Sequence, residues 1–270
     1  KASIMLAKIS LDQALMKARS FSKKNKVVEA KKIYNAIITA FPNNIRALQE
    51  LAALSKNSTL NTSQTPPQEV INDLINIYNQ GQISAVVKQS QALTEQYPNA
   101  YIVWNILGAS IAQTGKLEDA IEAYKKTISL KPDFADPYYN MGNVLKNQGK
   151  LDQAISSYNK ALLLKPNHEK AYNNIGLVLH SQGKLDEAIA AYNKSISLNP
   201  VYAEAYSNLG IIYQCQGKLD EAVGAYKKSI SLKPDYAETY NNLGATLHDQ
   251  RKLDEAIKIY NKALLLKPDY

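Results

Sequence analysis

From Tyr101 to the end of the chain, the sequence repeats every 34 residues without one insertion or deletion. The blocks are 101–134, 135–168, 169–202, 203–236 and 237–270. Position 8 of each block is glycine: Gly108, Gly142, Gly176, Gly210 and Gly244. Position 20 is alanine: Ala120, Ala154, Ala188, Ala222 and Ala256. Position 24 is tyrosine: Tyr124, Tyr158, Tyr192, Tyr226 and Tyr260. Position 32 is proline: Pro132, Pro166, Pro200, Pro234 and Pro268. Position 4 is always aromatic, from Trp104 through Tyr138, Tyr172 and Tyr206 to Tyr240. A period of this length means one supersecondary unit per repeat, too small to bury its own apolar face and stable only when stacked on its neighbours.

Within a block, apolar positions 4, 7 and 11 share one face of a first helix. Positions 17, 20, 21, 24, 27, 28 and 30 form the buried side of a second. Gln-Gly-Lys at 148–150, 182–184 and 216–218 supplies the turn between them, with glycine free to take a left-handed conformation. Small residues at 8 and 20 let the two helices cross closely, and proline at 32 ends the second helix. This set of positions resembles the tetratricopeptide repeat over 170 residues. The resemblance implies an all-α fold, a right-handed α-solenoid of helix-turn-helix repeats that binds protein or peptide and carries no catalytic residue.

The frame extends upstream in diverged form. Residues 67–100 place Leu74 at position 8, Gly81 at 15, Val86 at 20 and Pro98 at 32; residues 11–44 place Ala18, Ala30, Tyr34 and Pro42 at 8, 20, 24 and 32. A further helix over roughly 45–55 begins a repeat without completing it. The polar, proline-ended stretch SKNSTLNTSQTPP reads as linker. The expected organisation is a basic helical module at 1–56, a linker at 57–66 and a repeat array at 67–270. The formal charge of +8 is confined to the first part. Residues 1–66 hold 11 Lys+Arg against 3 Asp+Glu, whereas residues 67–270 hold 21 of each sign. A nucleic-acid-binding array carries its basic stripe along the repeats, so the neutral array argues against that partner. The array ends at position 34 of a block without a polar cap after Leu264, Leu265 and Leu266. The sequence is therefore read as part of a longer protein, an enzyme's recognition arm included, or as a solenoid whose ends join copies in a homo-oligomer.

The chain has no HExxH, CxxC, phosphate-cradling loop or nucleophile elbow, so no cofactor and no metal is expected. Recurrent Lys-Leu-Asp-Glu-Ala places carboxylates in the first turn of the second helices, where they complement the helix dipole. His180 and His248 share position 12 two repeats apart, too distant to share a metal. His168 sits in an inter-repeat turn and is expected at solvent. The single Cys215 excludes an internal disulfide and fits a reducing, cytoplasmic setting. No apolar run approaches the ~18–20 residues of a membrane span.

In the tetratricopeptide family, positions 2, 5, 6, 9, 12 and 13 of the first helix face a ligand in the concave groove. Carried over, position 6 contributes Asn140, Asn174, Asn208 and Asn242, with Asn72 in the diverged repeat and Ile106 as the exception. Position 5 contributes Tyr139, Asn173 and Asn241, with Asn105 and Ser207; position 9 gives Asn143, and position 12 Lys146, His180 and His248. A column of amides, each with two donors and an acceptor, suits the backbone of an extended peptide. It is similar to the asparagine ladder in the arm of O-GlcNAc transferases. The opening KNKVVEAKKIYNAIITAFPNN resembles bacterial repeat proteins with a downstream transferase domain. The family's clamp for C-terminal carboxylates is matched at Asn143 and Asn174, but its cationic positions hold Tyr139, Glu204 and Asn208, which argues against that mode.

Overall fold

The computed structural model describes residues 10–23, 26–42, 44–62 and 65–269. These residues form fifteen α-helices and no strand. The chain divides into two compact units, Lys1–Val103 and Trp104–Tyr270, which puts the 67–100 repeat in the first unit.

In the first unit, α1 (Leu11–Lys23) and α2 (Val27–Ala40) pair as a hairpin, and α3 (Ile45–Thr62) packs on α2. Ala18 and Ala30 are fully buried at their crossing, with Tyr34, Ile37 and Ala47 around them. Arg19 of α1 pairs with Glu50 of α3, and Tyr34 donates its hydroxyl to the same carboxylate at 2.8 Å. The helix α3 runs on to Thr62, through residues whose polar composition alone reads as linker. No glycine or proline interrupts it before Pro66. A second hairpin follows, α4 (Gln68–Asn79) and α5 (Ile83–Gln96).

Five near-identical hairpins follow, the first helix of which starts three residues ahead of the second unit. They are α6 (Tyr101–Gln113) with α7 (Leu117–Leu130), α8 (Ala135–Asn147) with α9 (Leu151–Leu164), and α10 (Glu169–Ser181) with α11 (Leu185–Leu198). Then come α12 (Ala203–Cys215) with α13 (Leu219–Leu232), and α14 (Ala237–Asp249) with α15 (Leu253–Leu266). Each position-8 glycine lies on the ring of the position-24 tyrosine in its own repeat. A Cβ at Gly176 would come within 2.6 Å of Tyr192 Cε1, and one at Gly142 within 2.6 Å of Tyr158 Cε1. Real Cβ atoms do not approach that closely, so only glycine admits the fully buried ring. The turn glycines 115, 149, 183 and 217 have φ between 72 and 81°, and Arg251 stands at the same turn of the last repeat with φ 61°.

Adjacent repeats are also tied on the turn side. Gln148, Gln182, Gln216 and Gln250 each donate the side-chain amide to the position-18 carboxylate of the preceding repeat: Glu118 at 2.9 Å, Asp152 at 2.8 Å, Asp186 at 2.9 Å and Asp220 at 2.8 Å. Those carboxylates therefore hold the next repeat in register as well as complementing their own helix. On the last helix, α15, Leu253 and Ile257 are more than half exposed. Their counterparts Leu185, Leu219, Ile189 and Val223 are partly covered.

Candidate peptide-binding surface

The first helices α8, α10, α12 and α14 lie side by side in that order. Positions 5, 6, 9 and 12 recur along one side of each, because residues three and four apart share a helix face. The asparagines there form a linked chain. Asn208 donates its side-chain amide to Asn173 Oδ1 at 2.9 Å, and Asn173 donates to Asn174 Oδ1 at 3.4 Å. Asn174 in turn donates to Asn143 Oδ1 at 2.8 Å and to Tyr139 Oη at 3.3 Å. Tyr158 gives its hydroxyl proton to the same Asn143 oxygen at 2.8 Å.

These bonds sort the predicted site residues by what each has left to offer. Asn174 uses its Nδ2 as donor twice and its Oδ1 as acceptor, so its side chain is occupied by the protein itself. Asn173 is buried, at 4 % exposure, and serves as a link rather than as a face. Asn143 receives two donors on its oxygen, which fixes the amide and leaves both Nδ2 protons to be given elsewhere. Asn208 keeps its Oδ1 and one N–H. Among the described residues, Asn140, Asn241 and Asn242 are half-buried with no side-chain hydrogen bond. Asn72, in the first unit, is exposed and accepts a bond from Gln68 at 3.0 Å.

The partner available to each position-6 amide depends on position 9 of the preceding repeat. For Asn174 that residue is Asn143, and the two amides bond. For Asn208 it is Leu177, which offers no acceptor, so Asn208 bonds Asn173 instead. Asn242 faces the same problem at Ile211. The surface consequently runs from polar at Asn143 and Lys146 to apolar at Leu177 and Ile211.

Lys146 stands one turn beyond Asn143 on α8 and is half-buried. Burial pushes its ammonium below the ordinary lysine value, with no carboxylate acting against it. His180 is half-buried at the matching position of α10, and His248 of α14 is exposed, 3.7 Å from Asp249.

Position 34, just ahead of each first helix, carries a row absent from the list drawn from sequence: Phe134, His168, Tyr202 and Tyr236. His168 does not face solvent as expected; it is half-buried with its ring centroid 4.5 Å from that of Tyr139. The contact joins position 34 of the block to position 5 of the same block, 29 residues earlier, so the turn's own sequence does not reveal it. Burial, aided by Lys165, lowers the His168 pKa. Tyr202 is pushed up to about 12 by burial and by Glu204. Lys233 bonds Glu204 at 3.0 Å and sits 4.7 Å over the Tyr236 ring. The signal for this row was present in the sequence, as a ring at one fixed position of successive blocks.

Among the described residues, no group of three or more His, Cys, Asp or Glu side chains could hold a metal ion, and no helix is long and apolar enough to cross a membrane. The described surface therefore offers hydrogen bonds, rings and the half-buried ammonium of Lys146.

Comparison with known proteins agrees with the helical-repeat fold. The family model described as TPR repeat matches residues 108–149, 142–183, 176–217 and 212–250, and models described as tetratricopeptide repeat match 237–270 and 14–44. The chain is 32% identical to MamA, whose crystal structure it matches with a TM-score of 0.55 over 60% of this chain and 95% of that one. The crystal structure of YrrB, a TPR protein with an unusual peptide-binding site, matches at 23% identity and a TM-score of 0.53, over 67% of this chain and 93% of that one. The peroxisomal targeting signal receptor of Kluyveromyces lactis is 47% identical over 47 residues, 17% of this chain and 8% of the receptor. The chain thus spans less than a tenth of the length of the curated relatives it matches.

Proposed function

The chain belongs to the tetratricopeptide-repeat family, whose members are generally protein-interaction scaffolds, and we propose that its second unit holds an extended stretch of a partner polypeptide along α8, α10, α12 and α14. The observation that carries this is the bonding state of the amides. Asn174 and Asn173 spend their side chains holding neighbouring repeats in register. Asn140, Asn143, Asn208 and Asn242, at recurring positions of the first helices, are left with donors or acceptors that no described residue pairs. Such half-buried amides can exchange water for a ligand's hydrogen bonds, and a peptide backbone offers one N–H and one C=O per residue. The ring row from His168 to Tyr236 supplies flat apolar area beside them. YrrB, with its peptide-binding site, shares the fold.

The test is capture of partners from an extract by wild type and by the quadruple variant Asn140→Ala, Asn143→Ala, Asn208→Ala and Asn242→Ala, with the fold checked by circular dichroism. The expected result is loss of the partners that wild type retains. Unchanged capture by a folded variant overturns the reading.

A further inference from the structure

We infer that Asn143 and Lys146 form a subsite for the carboxylate of an acidic side chain in the bound polypeptide; this rests on the groove reading above and assigns the chemistry it selects. Three observations converge on it.

The amide of Asn143 is oriented before any ligand arrives. Tyr158 and Asn174 both donate to its oxygen at 2.8 Å, so its two N–H groups are the ones left to point outward. An amide locked in this way presents donors without first having to be ordered, which is the condition for tight recognition of an acceptor.

Lys146 follows Asn143 by three residues on α8, so the two side chains share a face. Its position is half-buried, and no described carboxylate lies within ion-pair distance. The acidic residues of the surrounding helices are engaged elsewhere. Asp152 accepts from Gln182, and Asp186 from Gln216. Asp136 and Glu169 lie by His168 at the other end of the first helices. The fold thus partly strips water from an ammonium and supplies no counter-charge. Burial alone depresses its pKa; a lysine left merely to snorkel would keep its head in water.

The array is neutral as a whole, with 21 Lys+Arg and 21 Asp+Glu over residues 67–270, so this is a local cation rather than part of a basic field. A carboxylate placed there accepts from Asn143 Nδ2 and from Lys146 Nζ together, a charge-assisted pair. A phosphate dianion would call for more cations than the site holds, and the positions that clamp a chain's C-terminal carboxylate in this family carry Tyr139, Glu204 and Asn208 here. One internal Asp or Glu side chain matches it in charge.

The experiment uses the full chain and two fluorescein-labelled decapeptides, (Glu-Ser)5 and (Gln-Ser)5, followed by fluorescence anisotropy at about 0.15 M salt, where long-range attraction to the basic first unit is screened. Wild type should bind the Glu peptide about tenfold tighter than the Gln peptide, equivalent to about 1.4 kcal/mol. Lys146→Met, which keeps the buried stem, should bring the two affinities within about twofold, whereas Lys146→Arg should keep most of the preference. As a second readout, the 13Cε resonance of Lys146 should titrate at higher pH when the Glu peptide is bound, because a carboxylate favours the charged form. Equal binding of both peptides by wild type overturns the subsite and leaves the groove standing. A Glu preference that survives Lys146→Met overturns it too, by placing the attraction elsewhere. Failure of wild type to bind either peptide overturns the groove reading itself, and the subsite with it.

Discussion

Asn174 donates to Asn143 across the boundary between two repeats, at 2.8 Å, and the same oxygen receives the hydroxyl of Tyr158 from the second helix of Asn143's own repeat. Three helices therefore meet at one amide. The column of asparagines is less a row of equivalent contacts than an alternation of residues that join repeats and residues that remain free.

This predicts a measurable coupling. Asn174→Ala removes the donor to Asn143, and Asn143→Ala removes the shared acceptor; each should cost about 1 kcal/mol of unfolding free energy. The double variant should cost less than the sum by about 0.5 kcal/mol or more. Urea denaturation of the four proteins closes the cycle. Strict additivity would mean the amide link carries no stability.

Two glycine-to-alanine changes should act in opposite directions. Ala is preferred to Gly inside a helix by about 1 kcal/mol, and at Gly224 a Cβ meets nothing within 4 Å, so Gly224→Ala should stabilise by about that much. At Gly176 the same Cβ lies 2.6 Å from Cε1 of the fully buried Tyr192. Overpacking costs about 1–3 kcal/mol and outweighs the propensity gain, so Gly176→Ala should destabilise. Thermal unfolding of both variants checks the sign.

Arg251 occupies the turn position that is glycine in the four preceding repeats, at φ 61°. A left-handed conformation costs an L-residue about 1–2 kcal/mol. Arg251→Gly should recover about 1 kcal/mol, less the extra chain entropy of glycine. No rise in the unfolding midpoint would show that Arg251 makes a compensating contact.

The Arg19–Glu50–Tyr34 clasp sets an acid sensitivity in the first unit. The Arg19 guanidinium is the main cause holding the Glu50 carboxyl below the usual carboxylate range, and Tyr34 adds a hydrogen bond. A carboxyl whose pKa is lower folded than unfolded adds stability that is fully present above its unfolded value and is lost as the pH falls through the folded one. Glu50→Gln should therefore be destabilising near pH 7 and progressively less so below about pH 4.5. Hydrogen exchange of the α1–α3 amides at the two pH values reads this unit separately from the repeats.

Much of the fold was legible without coordinates because one pattern was written five times. Gly at 8, Ala at 20, Tyr at 24 and Pro at 32 imply two crossing helices and a stop whatever lies around them, since their causes are local: steric room, helix propensity and a missing N–H. The extent of α3 was not legible, because polar residues without glycine or proline permit helix and loop alike. The burial of His168 was not legible for a related reason. Its ring packs on Tyr139, position 5 of the same block, a contact between the block's two ends that no local pattern names.

The asparagines show where the division falls. Their column at position 6 follows from the sequence alone, because a 34-residue period carries each one to the same place on successive first helices. Which of them is occupied and which is free was decided by the tertiary structure. A hydrogen bond needs an acceptor within about 3 Å, and that acceptor comes from the neighbouring repeat: Asn143 for Asn174, and Asn173 for Asn208 where Leu177 offers none. The sequence determined where the amides recur, and packing between repeats determined what each of them can still bind.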